Sequence, residues 1–411
     1  MFAMNTKKCY NELKNKEEYM YDFENIIDRR NQGSRKWLLM KELKPNVGDD
    51  VMPFSVADME FKNPPELVED LKKFLDEMVL GYTTRNADFD KAIVSWMKRR
   101  HNFDLNPEWL VHFQGVVSGI YNAILEFTEA GDGIIVMPPV YYPFFTVCEA
   151  LDRKIVECPL INGENGYEIN FELFEKLIAD DKNKALLFCS PHNPVGRVWR
   201  REELQRLADA IVKNKKYLFA DEIHNDFVMP GYEHTIFQTL SDELKMRTIT
   251  FTSASKTFNM AGMDLCSVIV SNDEMRERFI NRATNTARIS PTALGYKATE
   301  ICYNKCEKWL DECIDKIEEN SKLVREYMNK NHPEVKVSKH EGTYLLWLDF
   351  SALGVSKEEL EKNNIAHDVF LDEGYIFGTG GECFERINLA APTKYIKELL
   401  TRITNAINAL K

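Results

Sequence analysis

The chain has 411 residues, 44% of them hydrophobic and 29% charged, which is a globular composition and excludes wholesale disorder. Lys and Arg number 53 against 65 Asp and Glu, a formal net charge of −12. With no basic run, that balance excludes a nucleic-acid binder held by phosphate neutralisation and a protein docked on anionic membranes.

No apolar stretch approaches the roughly 20 residues that cross a bilayer. The longest candidate, Gly133 to Val147, is interrupted by Pro138, Pro139 and Pro143. The first residues, Met1 to Asp22, are polar and lack the apolar core of a signal peptide. Nine scattered cysteines, an odd count, read as reduced thiols rather than a disulfide framework, and the expected location is the cytoplasm.

In chain order, the segment to Phe61 carries few sheet signals and is expected to pack beside a small C-terminal domain. Short apolar runs then mark strands at Gly133–Met137, Lys154–Cys158, Ala185–Cys189, Tyr217–Ala220, Thr248–Thr252 and Ser267–Val270. Helical patterns fall at Val117–Phe127, Phe144–Leu151, Phe171–Ala179, Glu202–Val212 and Asp273–Arg282. Strand then helix at this spacing predicts an α/β domain with a mostly parallel sheet and helices on both faces. The continuous apolar runs fit strands buried on both sides.

From Thr292 the pattern changes. A helical stretch runs from Leu294 to Asn329, with a break near Tyr303, and Pro333 closes it. Strands follow at Val335–Ser338, Tyr344–Asp349 and Arg386–Leu389, then a helix at Lys394–Leu410. The expected organisation is a large domain over 62–285 and a smaller α+β domain built from 1–61 and 286–411.

Three polar residues stand at the ends of apolar strands. Lys256, in Ser253-Ala254-Ser255-Lys256-Thr257-Phe258-Asn259, follows Thr248–Thr252. Ligands of α/β proteins bind at the carboxyl ends of strands, and a lysine there can form a Schiff base with a carbonyl cofactor. Asn193 lies in Cys189-Ser190-Pro191-His192-Asn193-Pro194, directly after another strand. Asp221 opens Asp221-Glu222-Ile223-His224, where an acid after a buried run needs a positive group or a helix start to face it. Arg386 opens an apolar strand in the C-terminal part.

Asn193, Asp221, Lys256 and Arg386 occur in the order and spacing of the fold-type I pyridoxal-phosphate (PLP) enzymes, the large aminotransferase superfamily, and the resemblance covers nearly the whole chain. Within it, Val56-Ala57-Asp58-Met59-Glu60-Phe61, Gly81-Tyr82-Thr83, Pro139-Val140-Tyr141-Tyr142-Pro143-Phe144, Asp221-Glu222-Ile223-His224, Ser255-Lys256-Thr257-Phe258-Asn259-Met260-Ala261-Gly262 and Gly342-Thr343-Tyr344-Leu345-Leu346-Trp347-Leu348-Asp349 resemble the cystathionine β-lyase branch.

The resemblance implies a role for each residue. Lys256 holds the cofactor as an imine and, once displaced, removes the substrate α-proton. Asp221 pairs with the pyridine nitrogen and keeps it protonated. Asn193 donates to the ring 3′ oxygen, and His224 stands where many aminotransferases place a tyrosine facing that oxygen. Tyr141 either stacks on the ring or is a core aromatic. The phosphate falls to Val116 and Val117 at the helix start in Gln114–Gly119, to Ser253 and Ser255, and to Tyr82 of a second subunit. Many relatives place an arginine eight residues after the lysine; this chain has Asp264 there, which leaves the phosphate's charge partner unassigned. Arg386 grips the substrate α-carboxylate with its fork. The Ala57 loop either closes on that carboxylate or is a structural turn.

The activity this implies is a PLP-dependent carbon–sulfur β-lyase acting on L-cystathionine, L-cysteine or cysteine S-conjugates. The alternative is an aminotransferase on the same scaffold. A homodimer is expected because Tyr82 serves a neighbouring site, and Asn193–Pro194 is expected to be cis. Some members of the branch act as regulatory partners of transcription factors, but no surface here marks that role. Cys302, Cys306 and Cys313 share a helix face and read as buried apolar thiols, and no metal site is expected. Gly378-Thr379-Gly380-Gly381 lacks the lysine of a phosphate-binding P-loop and reads as a turn before the Arg386 strand.

Overall fold

A computed structural model describes residues 19–163, 166–284 and 290–411. The expected domain boundary at 285 and most of the polar N-terminal segment lie outside the described residues.

Thirteen strands are described. They are β1 (Leu110–Phe113), β2 (Gly133–Val136), β3 (Lys154–Glu157), β4 (Ile161–Gly163), β5 (Gly166–Glu168), β6 (Asn183–Cys189), β7 (Tyr217–Asp221), β8 (Thr248–Thr252), β9 (Cys266–Ile269), β10 (Lys336–Val337), β11 (Leu345–Asp349), β12 (Asp372–Glu373) and β13 (Phe384–Asn388). Seven form one sheet in the order β1-β9-β8-β7-β6-β2-β3. Neighbours from β8 to β3 pair in parallel, while β9 runs antiparallel to both β8 and β1. This is the mostly parallel sheet expected from the sequence.

Alternation along β6 shows why its apolar run has no polar face. Leu187 and Cys189 join a core with the 116–127 and 143–150 helices, while Leu186 and Phe188 join another with the 171–178 and 201–213 helices. Both faces of β6 and β7 are therefore buried, and their polar residues stand at the strand ends. Local signals set the helix ends. Asn86 Oδ1 accepts from the Asp88 and Phe89 amides to start the 87–101 helix, and Asn102 ends it in the left-handed conformation.

The second sheet is antiparallel, in the order β10-β11-β13-β12. The stretch 51–61 lies along it: the Asn388 amide donates to Phe54 O, and the Phe54 amide to Phe370 O. The C-terminal helix (Thr393–Leu410) and the 307–331 helix pack into the same core.

Several elements differ from the sequence expectations. The long helical stretch breaks at Cys306 rather than near Tyr303, giving Ala293–Lys305 and Glu307–Asn331. Helices at Pro65–Glu77, Ala87–His101 and Lys357–Ala366, the short strands β1 and β12, and the β4–β5 hairpin were not anticipated. Trp96 of the 87–101 helix stacks on Tyr303 at 4.8 Å, a contact that crosses the expected domain division. Eight of the cysteines are described; all are free, and seven are buried, including Cys302, Cys306 and Cys313.

Candidate active site

The carboxyl ends of β6, β7 and β8 meet the second sheet at a cavity of about 440 Å³. It is lined by Asn193, Asp221, His224, Lys256 and Arg386, together with Ala57, Val116, Val117 and Tyr141. A cleft of about 640 Å³ elsewhere, between Arg197 and Lys339, contains none of these strand-end residues.

Lys256 sits on a single helical turn, Ala254–Thr257, directly after β8. The Ser253 hydroxyl starts that turn by accepting from the Ser255 amide. The next residue anchors it: Thr257 Oγ1 donates to buried Asp226 at 2.7 Å, and Asp226 also meets His101 and Trp96. Burial pushes the Asp226 carboxyl up, but the His101 and Thr257 bonds win and hold it below the usual range. Lys256 Nζ donates to Ala57 O at 2.6 Å. Burial drives the ammonium down to about 8; Arg386 reinforces the shift, while Asp58 and Asp221 oppose it.

Asp221 ends β7 and is buried. It accepts a hydrogen bond from the Ile223 amide, at 3.2 Å. Burial raises its carboxyl to about 7 despite that amide and Lys256, and Glu222 adds to the rise. A carboxylate so short of donors fits a cation brought against it. His224 is buried two residues beyond Ile223's neighbour Glu222, edge-on to the Tyr344 ring at 5.7 Å, and burial with Lys256 and Arg386 pushes it down to about 3. Its Nδ1 has no hydrogen-bond partner among the described residues. Burial raises the Tyr141 phenol.

Arg386 reaches across from β13. Its Nη1 donates to Asn193 Oδ1 at 2.7 Å, and its Nε and Nη2 donate to Asp372 Oδ2 at 3.2 and 2.5 Å. The Asn193–Pro194 bond is cis, as are Pro138–Pro139 and Ser190–Pro191. Opposite, Val116 and Val117 begin the 116–127 helix behind Gly115, with no side chain capping it. Their amides open on the cavity, ready for an anion.

Three expected cofactor contacts are not brought to this lining. The Ser253 hydroxyl is buried and donates to Leu265 O at 2.6 Å, which turns its proton into the fold. Ser255 is half-buried off the cavity wall, and Tyr82 is fully exposed between the 65–77 and 87–101 helices. Conversely, Arg35, Tyr142 and Asp372 line the cavity without a sequence signal that singled them out. Only pairing β12 with β13 places Asp372 opposite Arg386.

The rim is a turn over Val56–Asp58. Val56 has φ of +59°, an unusual backbone for a β-branched residue. Asn388 Nδ2 clamps the turn by donating to the carbonyls of Val56 and Asp58, and the Tyr344 hydroxyl donates to Ala57 O at 3.0 Å. Gly342 helps place Tyr344: a Cβ there would stand 2.9 Å from Phe227 O.

Taken together, a lysine amine of lowered basicity, a buried acid in want of a cation, an unpartnered imidazole nitrogen, an aromatic wall and a free helix start suit a flat heteroaromatic aldehyde that carries a phosphate.

Comparison with known proteins agrees with this geometry. Residues 49–403 match the family model for aminotransferase class I and II. The chain is 35% identical over 388 residues to cystathionine beta-lyase PatB of Bacillus subtilis, covering 94% of this chain and all of that protein. It is 31% identical to a cystathionine beta-lyase of Corynebacterium glutamicum, over 94% of this chain and all of that one. Among solved structures, cystalysin from Treponema denticola, which contains a pyridoxal 5′-phosphate cofactor, superposes with a TM-score of 0.94 at 52% identity, over 95% of this chain and all of that one. The PLP-bound C–S lyase from Staphylococcus hominis superposes with a TM-score of 0.86 at 30% identity, over 94% and 98% of the two chains.

Proposed function

The chain belongs to the aminotransferase class I and II family, and on that premise we propose that it is a PLP-dependent carbon–sulfur β-lyase. L-cystathionine and one water give pyruvate, ammonia and homocysteine; L-cysteine and cysteine S-conjugates react likewise. The observation that carries this reading is the Lys256 amine in one cavity with Asp221, Asn193 and Arg386. The choice of the carbon–sulfur bond rests on the lyases that the chain resembles along their whole length.

Bound at Lys256, pyridoxal phosphate supplies the electron sink for a carbanion at the substrate Cα. The chain's residues do the rest. Asp221 would supply the negative charge for the ring nitrogen, and a cation there would return its carboxyl toward the ionised form. Asn193, His224 and Tyr141 would hold the ring. The amides of Val116 and Val117 would receive the phosphate. Arg386 holds the substrate α-carboxylate, so that the Cα–H bond meets Lys256 Nζ. Burial lowers the basicity of that amine, which suits it to accept the α-proton. The thiolate then departs from Cβ with the electron pair of the C–S bond; as a weakly basic leaving group it needs little acid assistance.

The active unit of this reading is a homodimer. Tyr82 is fully exposed and away from the cavity of its own chain, which supports its use in a partner's site. Eight free cysteines support a reducing, cytoplasmic setting.

The test is incubation of the purified protein with L-cystathionine and no added keto acid. Pyruvate and thiol in equal amounts support the lyase. Turnover that requires a keto acid and leaves the thioether intact makes the protein an aminotransferase instead.

A further inference from the structure

We propose that Asp372 is a positioning residue for the substrate α-carboxylate, holding through one oxygen both Arg386 and the Val56–Ala57 turn. The inference rests on the assignment of the α-carboxylate to Arg386 made above.

Asp372 Oδ2 accepts three hydrogen bonds, from Arg386 Nε at 3.2 Å, from Arg386 Nη2 at 2.5 Å and from the Val56 amide at 2.8 Å. A guanidinium has five N–H donors. Asp372 takes the Nε edge and one hydrogen of Nη2, and Asn193 takes one hydrogen of Nη1. One N–H remains on each terminal nitrogen. Those two are left to donate to a carboxylate. The guanidinium is therefore clamped on two sides with donors left for a ligand.

Asp372 also neutralises Arg386, with which it forms a nearly buried ion pair. Capture of the α-carboxylate then depends on the aim of two N–H groups more than on net charge. The third bond extends the same restraint to the rim. Val56 holds its unusual backbone between Asp372 on its amide and Asn388 on its carbonyl. The next residue, Ala57, carries the carbonyl that receives Lys256 Nζ. Asp372 thus ties the carboxylate-binding end of the cavity to the lysine end.

The experiment uses the holoenzyme and two ligands that differ only in the carboxylate: S-methyl-L-cysteine and its decarboxylated amine, 2-(methylthio)ethylamine. Apparent Kd is read by stopped flow from the first, binding-phase change in the visible absorption of the bound cofactor, before the thioether is cleaved. Asp372→Asn keeps an oxygen for the Val56 amide but loses the charge on Arg386; Asp372→Ala loses both. Each variant is expected to weaken S-methyl-L-cysteine by about tenfold or more, the worth of one charge-assisted hydrogen bond, and to leave the amine within about twofold. For L-cystathionine the loss falls on KM more than on kcat. Equal or tighter binding of S-methyl-L-cysteine would overturn the proposal, because Asp372 would then be only a counterion. Equal loss of both ligands with a lowered melting temperature would overturn it too, as a purely structural role. The lyase reading fails separately, if the wild-type protein yields no pyruvate from L-cystathionine while still binding S-methyl-L-cysteine.

Discussion

Arg386 Nη1 donates to Asn193 Oδ1 at 2.7 Å. The bond joins the antiparallel sheet to the turn after β6, so the two halves of the cavity are registered by side chains that both line it.

Arg386 is the first place to test the site. Arg386→Lys keeps the charge but loses the fork, and lysine cannot make two parallel bonds. The expected outcome is a KM for L-cystathionine raised by about 10- to 100-fold, with a smaller fall in kcat. Steady-state kinetics on the two proteins read this directly. An unchanged KM would move the α-carboxylate to another part of the cavity.

Lys256→Ala should leave the fold intact, since the side chain lies in the cavity and bonds to Ala57 O rather than into a packed core. Activity should fall by at least about 100-fold, the low end for losing a positioned proton carrier. Borohydride should fix the cofactor to the wild-type chain at Lys256 and not to the variant, as peptide mass spectrometry would report.

Two of the shifted groups, Asp221 and Lys256, give cofactor-free protein a pH dependence that can be tested. The folded-state value for Asp221, about 7, lies above its ordinary 3.8. Its contribution is present below pH 3.8 and is lost as pH rises to about 7, because the folded form binds the extra proton in that window. Lys256 is lowered from 10.5 to about 8, so its contribution is present above 10.5 and is lost as pH falls toward 8. Asp221→Asn should therefore flatten the acid-side decline. It should gain on the order of 2 to 4 kcal/mol over wild type at pH 7.5 without cofactor. Denaturant melts at pH 5 and 7.5 measure the difference, and cofactor loading should shrink it.

Tyr82 tests the assembly. If it serves a neighbour, Tyr82→Ala and Lys256→Ala chains are each poor enzymes. A hybrid dimer would nevertheless hold one site with an intact lysine and an intact partner tyrosine. Unfolding and refolding a mixture should then recover activity well above the sum of the two variants. No recovery, or full wild-type activity from a monomer in light scattering, would place Tyr82 outside the site.

Much of this site can be read from sequence because of how parallel strands are buried. Both faces of β6 and β7 are apolar and β8 is buried throughout, so the polar residue that ends or follows each run stands out, and Asn193, Asp221 and Lys256 are found that way. Edge elements lack that contrast. β1 is a four-residue edge strand with half-exposed Val111 and His112, and its partner β9 lies more than 150 residues away. The 357–366 helix buries only Leu360 and Asn364, so it has no apolar stripe to detect. Asp372 is visible only once β12 is laid against β13. Ser253 shows a different limit: its position was legible, but the direction of its hydroxyl, toward Leu265 O, is a fact of packing.

The free cysteines bear on the chemistry in a way that neither sheet does. A carbon–sulfur lyase works in its own effluent of small thiols and their disulfides, which would cap any reactive sulfur they reached. Burial pushes Cys148 and Cys158 up to about 12, and Cys189, Cys266, Cys302 and Cys313 well above the ordinary thiol value. Exchange needs a thiolate, and burial keeps these six protonated. A sulfur-rich interior is thus kept inert toward the product, including Cys189 on the wall of the cavity where that product is released.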